Sequence, residues 1–436
     1  MGLILSIFFI VLISILHFLN KHKLNFFLSI FSIVSDTLYF KLFNVNILLI
    51  YFIAIINIPF VINHLFKKNI IIENLIRYIK YEFIYLIILG VIFGFIFPWE
   101  DMSGDRSWSQ KAHGRTIVQI IRIFLEFIVI FYVIFSIKYR RITLEFIIKA
   151  FAISAILSFW IGLFDYFISY QIKATLFDLE YFEKNRFLGL NGEPKALGRS
   201  SAFAYSIILL FCIQFKKYTK FYLFSIFTCI LGVLLSSSAS SYILFLLLNV
   251  LIFLKFNFKS ILSFILIAFL LITSYFILLE NNLLHPGTHR KITKALIALD
   301  EDWIKNEPKL FKRFDIFDRL ALIYLWNNPI YLVTGTGPNL ISLPMSKYIP
   351  SNTIFHVWGR VDSVPNVFPI NITARSGLIG LTLYFLFIYN IIKLSFKNLP
   401  LNISKIYLSS LLFNFVFINI TFILFSAIFI GLHSRK

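Results

Sequence analysis

The chain has little charge and almost no cysteine for its length. Only 14% of its 436 residues are charged and two are cysteine, whereas 59% are hydrophobic. Soluble domains keep about a quarter of their residues charged. Cys212 and Cys229 both lie in apolar runs, where a free thiol behaves as a small hydrophobic side chain. The composition therefore excludes an ordinary soluble protein.

Signatures of several enzyme classes are also missing. The sequence contains no P-loop, no HExxH and no paired-cysteine metal motif. His285 and His289 lie four residues apart, but too few further ligands lie nearby for a metal site. We therefore expect neither a metal nor a cofactor.

What the sequence does contain is a series of long apolar runs. A helix that crosses a bilayer needs about twenty apolar residues, and its backbone bonds are satisfied internally. The runs predict an all-α, polytopic membrane bundle of about 11–13 transmembrane helices with one large, partly helical periplasmic loop. The predicted spans are 2–20, 25–43, 46–66, 81–98, 117–137, 143–169, 199–215, 221–235, 241–254, 260–280, 372–396 and 403–432.

Two of these regions are unusual. Serines at 236–241 separate two short runs, which predicts a turn at the outer surface or two half-depth helices instead of one span. The last run, 403–432, is too short for two full spans and has basic residues on both sides. We interpret it as a broken or re-entrant hairpin.

Lysine and arginine set the predicted orientation. They number 41 against 21 acidic residues, a net charge of +20, and many lie in short clusters between the spans. Cytoplasmic loops carry such an excess, so the N-terminus and the loops at 99–116, 170–198 and 281–371 are placed outside. This divides the chain into an N-terminal bundle (1–280), a periplasmic loop (281–371) and C-terminal helices (372–436). The basic clusters suit a lipid surface, and no nucleic-acid partner is expected.

The large loop contains its own patterns. Apolar residues at three- or four-residue steps predict a helix over 291–305. A second helix is predicted over 313–328, ended by Pro329. The Gly, Pro and Ser content of 331–371 predicts irregular structure packed over the spans.

Charged residues within the spans are candidates for function, because a lone charge in the membrane is costly. Arg122 and Glu126 lie four residues apart on one helix face and are expected to pair. Such a pair suits a structural role as well as a functional one. Asp165, near the outer end of its span, is expected to line an external cavity.

Arginine and tryptophan are concentrated on the predicted outer side. Cations are normally depleted there, and a planar guanidinium suits bidentate capture of phosphate oxygens. The alternative is that each arginine pairs with an acidic residue of the same loop. All six tryptophans also lie on this side, as in an interfacial belt or a sugar-stacking surface. The outer arginines are Arg186, Arg199, Arg290, Arg313, Arg319, Arg360 and Arg375.

Four short motifs follow one another along the chain. The first has Arg186, then Gly189 and a Pro-centred turn before Arg199, and the second is the serine break at 236–241. In the third, Pro329 follows Arg313 by sixteen residues and precedes the run Gly-Thr-Gly-Pro-Asn at 335–339. The fourth is Gly-Leu-Ile-Gly-Leu at 377–381.

With this topology, the motifs resemble those of the O-antigen polymerase and O-antigen ligase superfamily over about residues 180–385. Its members are membrane glycosyltransferases of the bacterial inner membrane that act on undecaprenyl-diphosphate-linked glycans. The resemblance implies metal-independent glycan transfer at the periplasmic face, with a lipid-linked donor. The acceptor would be a lipid-linked repeat unit or lipid A-core, and a chain-length regulator protein would be a further partner.

Two departures bear on this resemblance. Relatives usually carry an Arg after the serines of the second motif, and none follows here. They also often place a His-Asn pair about eleven residues before the last glycine motif, where this chain has Pro365 and Asn366 and its nearest histidine is His356. The missing pair favours a polymerase over a ligase. A transporter or flippase is the alternative from another class, and should show related halves and midplane charges.

The chemistry of glycan transfer assigns roles to the polar residues. Arginines would neutralise the leaving diphosphate, and a general base would deprotonate the acceptor hydroxyl. The predicted substrate-binding residues are Arg186, Arg199, Arg313, Arg319, Arg360 and Arg375. The candidate bases are Asp165, Glu193, His356 and Asp362.

Overall fold

The computed structural model is an all-α bundle with one small two-stranded hairpin among the residues it describes. The described residues are 2–19, 21–35, 39–42, 45–65, 70–99, 111–172, 187–191, 194–253, 316–345, 367–416 and 420–434, with the single residues 266, 270, 273, 277, 311, 314, 348 and 365. The predicted fold class is confirmed.

The helices and strands follow one another with short connections. The N-terminal part contains α1 (Gly2–Phe18), α2 (His22–Val34), β1 (Tyr39–Leu42), β2 (Val45–Leu48), α3 (Leu49–Ile56), α4 (Ile58–Leu65), α5 (Ile70–Val91, continued by a π-helical turn at Ile92–Ile96), α6 (Ala112–Tyr139), α7 (Leu144–Ile172), α8 (Pro194–Phe215), α9 (Lys220–Leu235) and α10 (Ala239–Phe253). The C-terminal part contains α11 (Ile316–Asn327), α12 (Pro329–Thr334), α13 (Ser342–Met345), α14 (Phe368–Asn398), α15 (Leu401–Val416) and α16 (Ile420–His433).

Five helices are long and apolar enough to cross a membrane, judged by length and composition. The chain is therefore a multi-pass membrane protein. These segments are Ile72–Ile96, Ala112–Tyr139, Leu144–Phe164, Pro194–Phe215 and Phe368–Asn398.

Shorter helices occupy the two regions that the sequence marks as unusual. Helix α9, of 16 residues, ends just before the serine stretch, and α10, of 15 residues, begins within it, which confirms that no single span runs through it. Helices α15 and α16 divide the last apolar run, as expected of a broken hairpin. In the large loop, α11 confirms the predicted second helix, while the helix predicted over 291–305 lies outside the described residues. Short helices α12 and α13 show that the prediction of irregular structure from 331 onward is partly wrong.

Two predicted spans near the N-terminus are wrong. The run 25–43 leaves the helix at Ser35, which is extended, and residues 39–42 pair antiparallel with 45–48. The run 46–66 is then divided into α3 and α4 at Asn57, whose side-chain amide donates to the carbonyl of Ile53 (2.8 Å). Hydropathy alone does not reveal such breaks, because every segment remains apolar.

Helix α8 lies at the centre of the bundle, in contact with α7, α9, α10 and α15. Aromatic side chains fill the space around it: the ring of Phe203 lies 5.0 Å from that of Phe425, which lies 5.2 Å from Phe151. Such edge-on and tilted ring pairs are favourable in a dry core. This packing holds the helices whose ends carry the polar residues described below.

Polar contacts show which helix ends lie together. Lys217 pairs with Glu145 (3.0 Å), which joins the end of α8 to the start of α7. Lys405 donates from Nζ to the carbonyl of Ile252 (3.0 Å), which joins the start of α15 to the end of α10. Helix α14 ends just before α15 begins, so it ends here too.

Helices α6 and α16 end at the same side of the bundle. A Cβ at Gly431, near the end of α16, would lie 3.0 Å from the Cβ of Ile137 in α6, and Asn398 at the end of α14 lies 3.5 Å from His433. We name this side the basic end, because Lys138, Lys217 and Lys397 lie on it. The opposite side, where α6, α8, α10 and α14 begin, is the loop end.

Candidate functional site

Two of the sequence motifs meet at the loop end and hold each other. The Gly-Thr-Gly segment at 335–337 donates from the amides of Thr336 and Gly337 to the carbonyls of Ala374 (2.9 Å) and Arg375 (3.0 Å) in α14. The hydroxyl of Thr336 also donates to the carbonyl of Ala374 (2.8 Å). A loop and a helix that are far apart in the sequence thus form one rigid unit.

Glycines make this close approach of two backbones feasible. Gly377 has φ +64° inside α14, and Gly335 has φ +84° in the loop. Residues with a side chain rarely adopt these backbone conformations. A Cβ at Gly335 would lie 2.6 Å from the backbone nitrogen of Gly377. The kink at Gly377 turns the carbonyls before it away from α14, which leaves them free to accept bonds from the loop.

Arg375 lies two residues before that kink. It forms an ion pair with a carboxylate that the sequence did not indicate. Its Nη2 lies 3.0 Å from Oε1 of Glu82 in α5. The Glu82 side chain is fully buried, whereas that of Arg375 is 20% exposed. Ser376 also approaches Oε1 of Glu82 (3.5 Å), and Oε2 of Glu82 has no hydrogen-bond partner within the described part of the chain. The carboxylate therefore anchors the guanidinium of a side chain that stays partly exposed.

Helix α5 and the residues just after it each make one further bond to the same loop. The hydroxyl of Tyr85 donates to the carbonyl of Thr334 (2.8 Å), and the indole N–H of Trp99 donates to that of Thr336 (3.0 Å). Trp99 lies 5.1 Å from Tyr331 and 6.3 Å from Tyr324, ring centre to ring centre. Burial raises the pKa of the Tyr324 hydroxyl, so it is protonated at neutral pH. These rings pack on one another and stabilise the loop.

Trp326 differs from that aromatic cluster. Its side chain is 64% exposed on α11, with the ring of Phe311 edge-on at 6.1 Å. Of the six tryptophans predicted on the outer side, it is the one within the described residues that offers most of its ring to a ligand. A free indole face suits stacking on the apolar face of a sugar ring.

The first and second motifs also meet at the loop end. Arg199, near the start of α8, donates from Nε (3.0 Å) and Nη2 (2.9 Å) to the hydroxyl of Ser240. A Cβ at Gly198 would collide with the hydroxyls of Ser236 and Ser241, so the glycine permits the serine turn to lie against α8. Although no arginine follows the serines in sequence, Arg199 supplies a guanidinium to that turn.

The segment preceding α8 is held against α7. The amide of Leu190 donates to the carbonyl of Ser158 (3.0 Å), and the side chain of Asn191 donates to its hydroxyl (3.3 Å). Gly189, with φ +60°, packs against Gly162 of α7. The first motif is therefore a packed turn that positions the start of α8 and with it Arg199.

Two other arginines at the loop end are almost completely buried. Arg115, which the sequence analysis did not single out, donates to the hydroxyl of Ser342 (2.8 Å) and links α6 to α13. Arg319 in α11 is 2% exposed, so a substrate reaches it only if α11 moves. Its neighbour Asp318 accepts from the amide of Val367 (2.9 Å), just before α14.

The pair predicted within α6 is present. Nε of Arg122 lies 3.4 Å from Oε1 of Glu126, which also accepts from the hydroxyl of Tyr51 (3.2 Å). Glu126 is close enough to Glu82 and Arg375 to interact with both electrostatically. Glu126 therefore links the pair in α6 electrostatically to the pair of Glu82 and Arg375.

Most of the remaining predicted site residues lie outside the described residues. Asp165 is in α7, but its side chain is not among those described. Among described residues, no group of three His, Cys, Asp or Glu could hold a metal ion. The predicted site residues that lie outside the described part of the chain are Arg186, Glu193, Arg313, His356, Arg360 and Asp362.

Arg199 and Arg375 lie near the starts of α8 and α14, two helices that begin at the loop end. No protein-family model matches the chain, and no curated protein is significantly similar to it.

Proposed function

We propose that the chain is a membrane glycosyltransferase of the bacterial inner membrane that polymerises undecaprenyl-diphosphate-linked oligosaccharide repeat units at the periplasmic face. A ligase that transfers the finished glycan to lipid A-core is the alternative within the same chemistry. The reaction needs a cation to receive the diphosphate leaving group and a base to accept a proton.

The observation that carries this proposal is the Arg375 guanidinium. It lies one to two turns into α14, is held by a fully buried carboxylate of Glu82, and remains 20% exposed. A guanidinium fixed in this way presents N–H donors to phosphate oxygens at little cost in side-chain order. Because it lies in a protein environment with low dielectric constant, its attraction for an anion is stronger than in water.

The bond changes that the site would support are simple. An acceptor hydroxyl attacks the anomeric carbon of the donor glycan, the bond from that carbon to the diphosphate oxygen breaks, and undecaprenyl diphosphate leaves. The hydroxyl proton passes to a general base. Arg375 stabilises the negative charge that develops on the leaving oxygen, and Glu82 keeps Arg375 in position.

Arg199 and the serine turn provide a second polar region at the loop end. Hydroxyls of Ser238 and Ser240 lie 3.0 Å apart beside the Arg199 guanidinium. Hydroxyl and guanidinium donors together suit the hydroxyl and phosphate oxygens of a lipid-linked glycan. The exposed Trp326 ring adds an apolar surface for sugars on the same side.

The proposal is tested by deleting the gene and profiling surface glycans on gels. Complementation uses the wild type, Arg375→Gln and Lys397→Gln, each checked for its level in the membrane. Lys397 is an exposed cation at the other end of the same helix, so it is a matched control for loss of one charge. We expect the deletion to leave lipid A-core with one repeat unit. Wild type and Lys397→Gln restore the ladder and Arg375→Gln does not.

Other outcomes separate the alternatives. Bare lipid A-core together with accumulated lipid-linked polymer identifies a ligase. Normal glycan ladders in the deletion strain, when no redundant enzyme is present, contradict both glycan functions. A ladder that Arg375→Gln restores fully shows that Arg375 does not take part.

A further inference from the structure

Two histidines and an arginine at the basic end have no role in the proposed function. His17 lies in the last turn of α1, His22 begins α2, and Arg140 follows α6. The short turn between α1 and α2 brings the two imidazole rings to 6.4 Å, centre to centre. Arg140 lies close enough to both rings to repel their protonated forms.

Arg140 is held in place by contacts with the break between α3 and α4. Its Nη1 donates to the side-chain oxygen of Asn57 (3.0 Å), and its guanidinium lies over the ring of Phe60 at 3.7 Å. A guanidinium stacked on an aromatic face is a favourable and oriented arrangement. Its remaining N–H groups are therefore presented in a defined direction, and the residue is only partly buried.

No negative charge in the described part of the chain balances this group. Arg140, His17 and His22 form no ion pair with any described carboxylate, and Arg140 is the first charged neighbour of both histidines. More cations surround them at the surface, since Lys21, Lys23 and Arg141 are exposed nearby. The charge of Arg140 therefore has no counter-charge among these residues, and an anion beside it would be favourable.

Unpartnered polar atoms point in the same direction. Nδ1 of His17 and Nδ1 of His22 are both buried without a hydrogen-bond partner. Asn25, three residues after His22 and so on the same side of α2, is fully buried with both side-chain amide atoms unpartnered. Buried polar groups in native proteins are nearly always bonded, so these atoms can accept or donate a bond to a group from outside the chain.

We infer that His17, His22 and Arg140 form an anion-binding site that takes a phosphate group at the basic end. A tetrahedral oxyanion accepts bonds from several N–H donors at once, which these side chains and the start of α2 offer. The group belongs either to an acidic phospholipid headgroup, which is abundant at a cytoplasmic membrane surface, or to free phosphate. The site is at the opposite end from the proposed glycan chemistry and does not rest on it.

The test measures thermal unfolding of the purified full chain in detergent. Phosphatidylglycerol, phosphatidylcholine and inorganic phosphate are titrated separately into the wild type and the variants. A ligand that binds the folded state raises the unfolding temperature in proportion to its occupancy. The variants are Arg140→Gln, the double variant His17→Gln with His22→Gln, and Arg141→Gln. Arg141 is the exposed neighbour of Arg140, so it controls for loss of one surface charge.

We expect phosphatidylglycerol, and not phosphatidylcholine, to raise the unfolding temperature of the wild type and of Arg141→Gln. Arg140→Gln and the double histidine variant should bind about tenfold more weakly or worse, as expected when a charge-assisted donor is lost. The histidine variant keeps the bond from Arg140 to Asn57, so it tests the site even if Arg140→Gln folds poorly. If inorganic phosphate by itself raises the unfolding temperature and also competes with phosphatidylglycerol, the bound group is free phosphate. Equal effects of both lipids together with no effect of phosphate, or an equal loss in Arg141→Gln and Arg140→Gln, overturn the proposal.

Discussion

Arg375 shows how a residue acquires its properties from a partner far away in the sequence. The two ends of its salt bridge with Glu82 are 293 positions apart. Sequence analysis identified Arg375 as one of several outer arginines, but Glu82 lies in an apolar run and has no local pattern. By contrast, the pairing of Arg122 with Glu126 was predicted correctly, because residues four apart on a helix are always neighbours.

The Arg375–Glu82 pair leads to a prediction about stability. Arg375→Gln leaves Glu82 buried without a cation, which costs about 3–5 kcal/mol. Glu82→Gln costs less, because the partly exposed Arg375 can still be solvated. The double variant regains most of the lost stability, since no unpaired charge remains. Thermal unfolding of the three variants in detergent measures this coupling.

Activity separates the two contributions of the pair. We expect the double variant to unfold near the wild-type temperature and yet to make no polymer, because the guanidinium is absent. Polymer formation by the stable double variant would show that Arg375 has only a structural role. Additive losses of stability in the double variant would show that the two side chains are not coupled.

At the scale of elements, the main feature is the contact between the 335–337 loop and the kinked start of α14. The sequence shows both glycine motifs, and their residue types are typical of special backbone conformations. It does not show that one motif bonds to the other, because that depends on how α12 packs against α14. The serine turn and Arg199 illustrate the same point, since Ser240 follows Arg199 by 41 positions.

Replacing a glycine in this contact tests its importance. In Gly377→Ala the new Cβ would lie 2.6 Å from the nitrogen of Gly335 and would also meet the carbonyl of Val333, at a residue with φ +64°. We expect the loop to separate from α14, which displaces Arg375 and abolishes polymer formation. Leu378→Ala, at the exposed neighbouring residue, is the control and should retain activity.

The readouts for this prediction are the glycan ladder and protease sensitivity of the loop. If Gly377→Ala supports a normal ladder with an unchanged digestion pattern, the contact between loop and helix is not needed.

The short helices near the N-terminus also depend on contacts that hydropathy does not reveal. Hydropathy predicted continuous spans there, but local hydrogen bonds of Asn57 and pairing of two short strands break them.

At the scale of the whole molecule, the polar contacts at the helix ends distinguish two ends of the bundle. Lys217, Lys397 and Arg140 lie at one end, and Arg115, Arg199 and Arg375 at the other. The basic clusters between spans predict that the first end faces the cytoplasm. The proposed chemistry requires the second to face the periplasm.

This orientation can be measured with single cysteines. The two native cysteines, Cys212 and Cys229, are buried and should not react with a membrane-impermeant maleimide. We expect Ile330→Cys, at a residue that is 67% exposed at the loop end, to be labelled in intact spheroplasts. Lys397→Cys should be labelled only after the membrane is permeabilised.

The wild type without added cysteines is the control for background labelling. Labelling of Lys397→Cys in intact spheroplasts, with Ile330→Cys protected, would invert the topology. That result would place the arginine site in the cytoplasm and contradict glycan transfer at the periplasmic face.

The sequence by itself determined that this is a multi-pass, all-α membrane protein, because long apolar runs leave few other structures that satisfy the backbone in lipid. It also determined local features: the pair in α6, the helix before Pro329 and the division of the bundle at the serines. Only the tertiary structure decided that Glu82 anchors Arg375, that Arg199 bonds to the serine turn, and that the two glycine motifs are joined by backbone hydrogen bonds. These contacts join distant segments, and no periodicity along the chain encodes them.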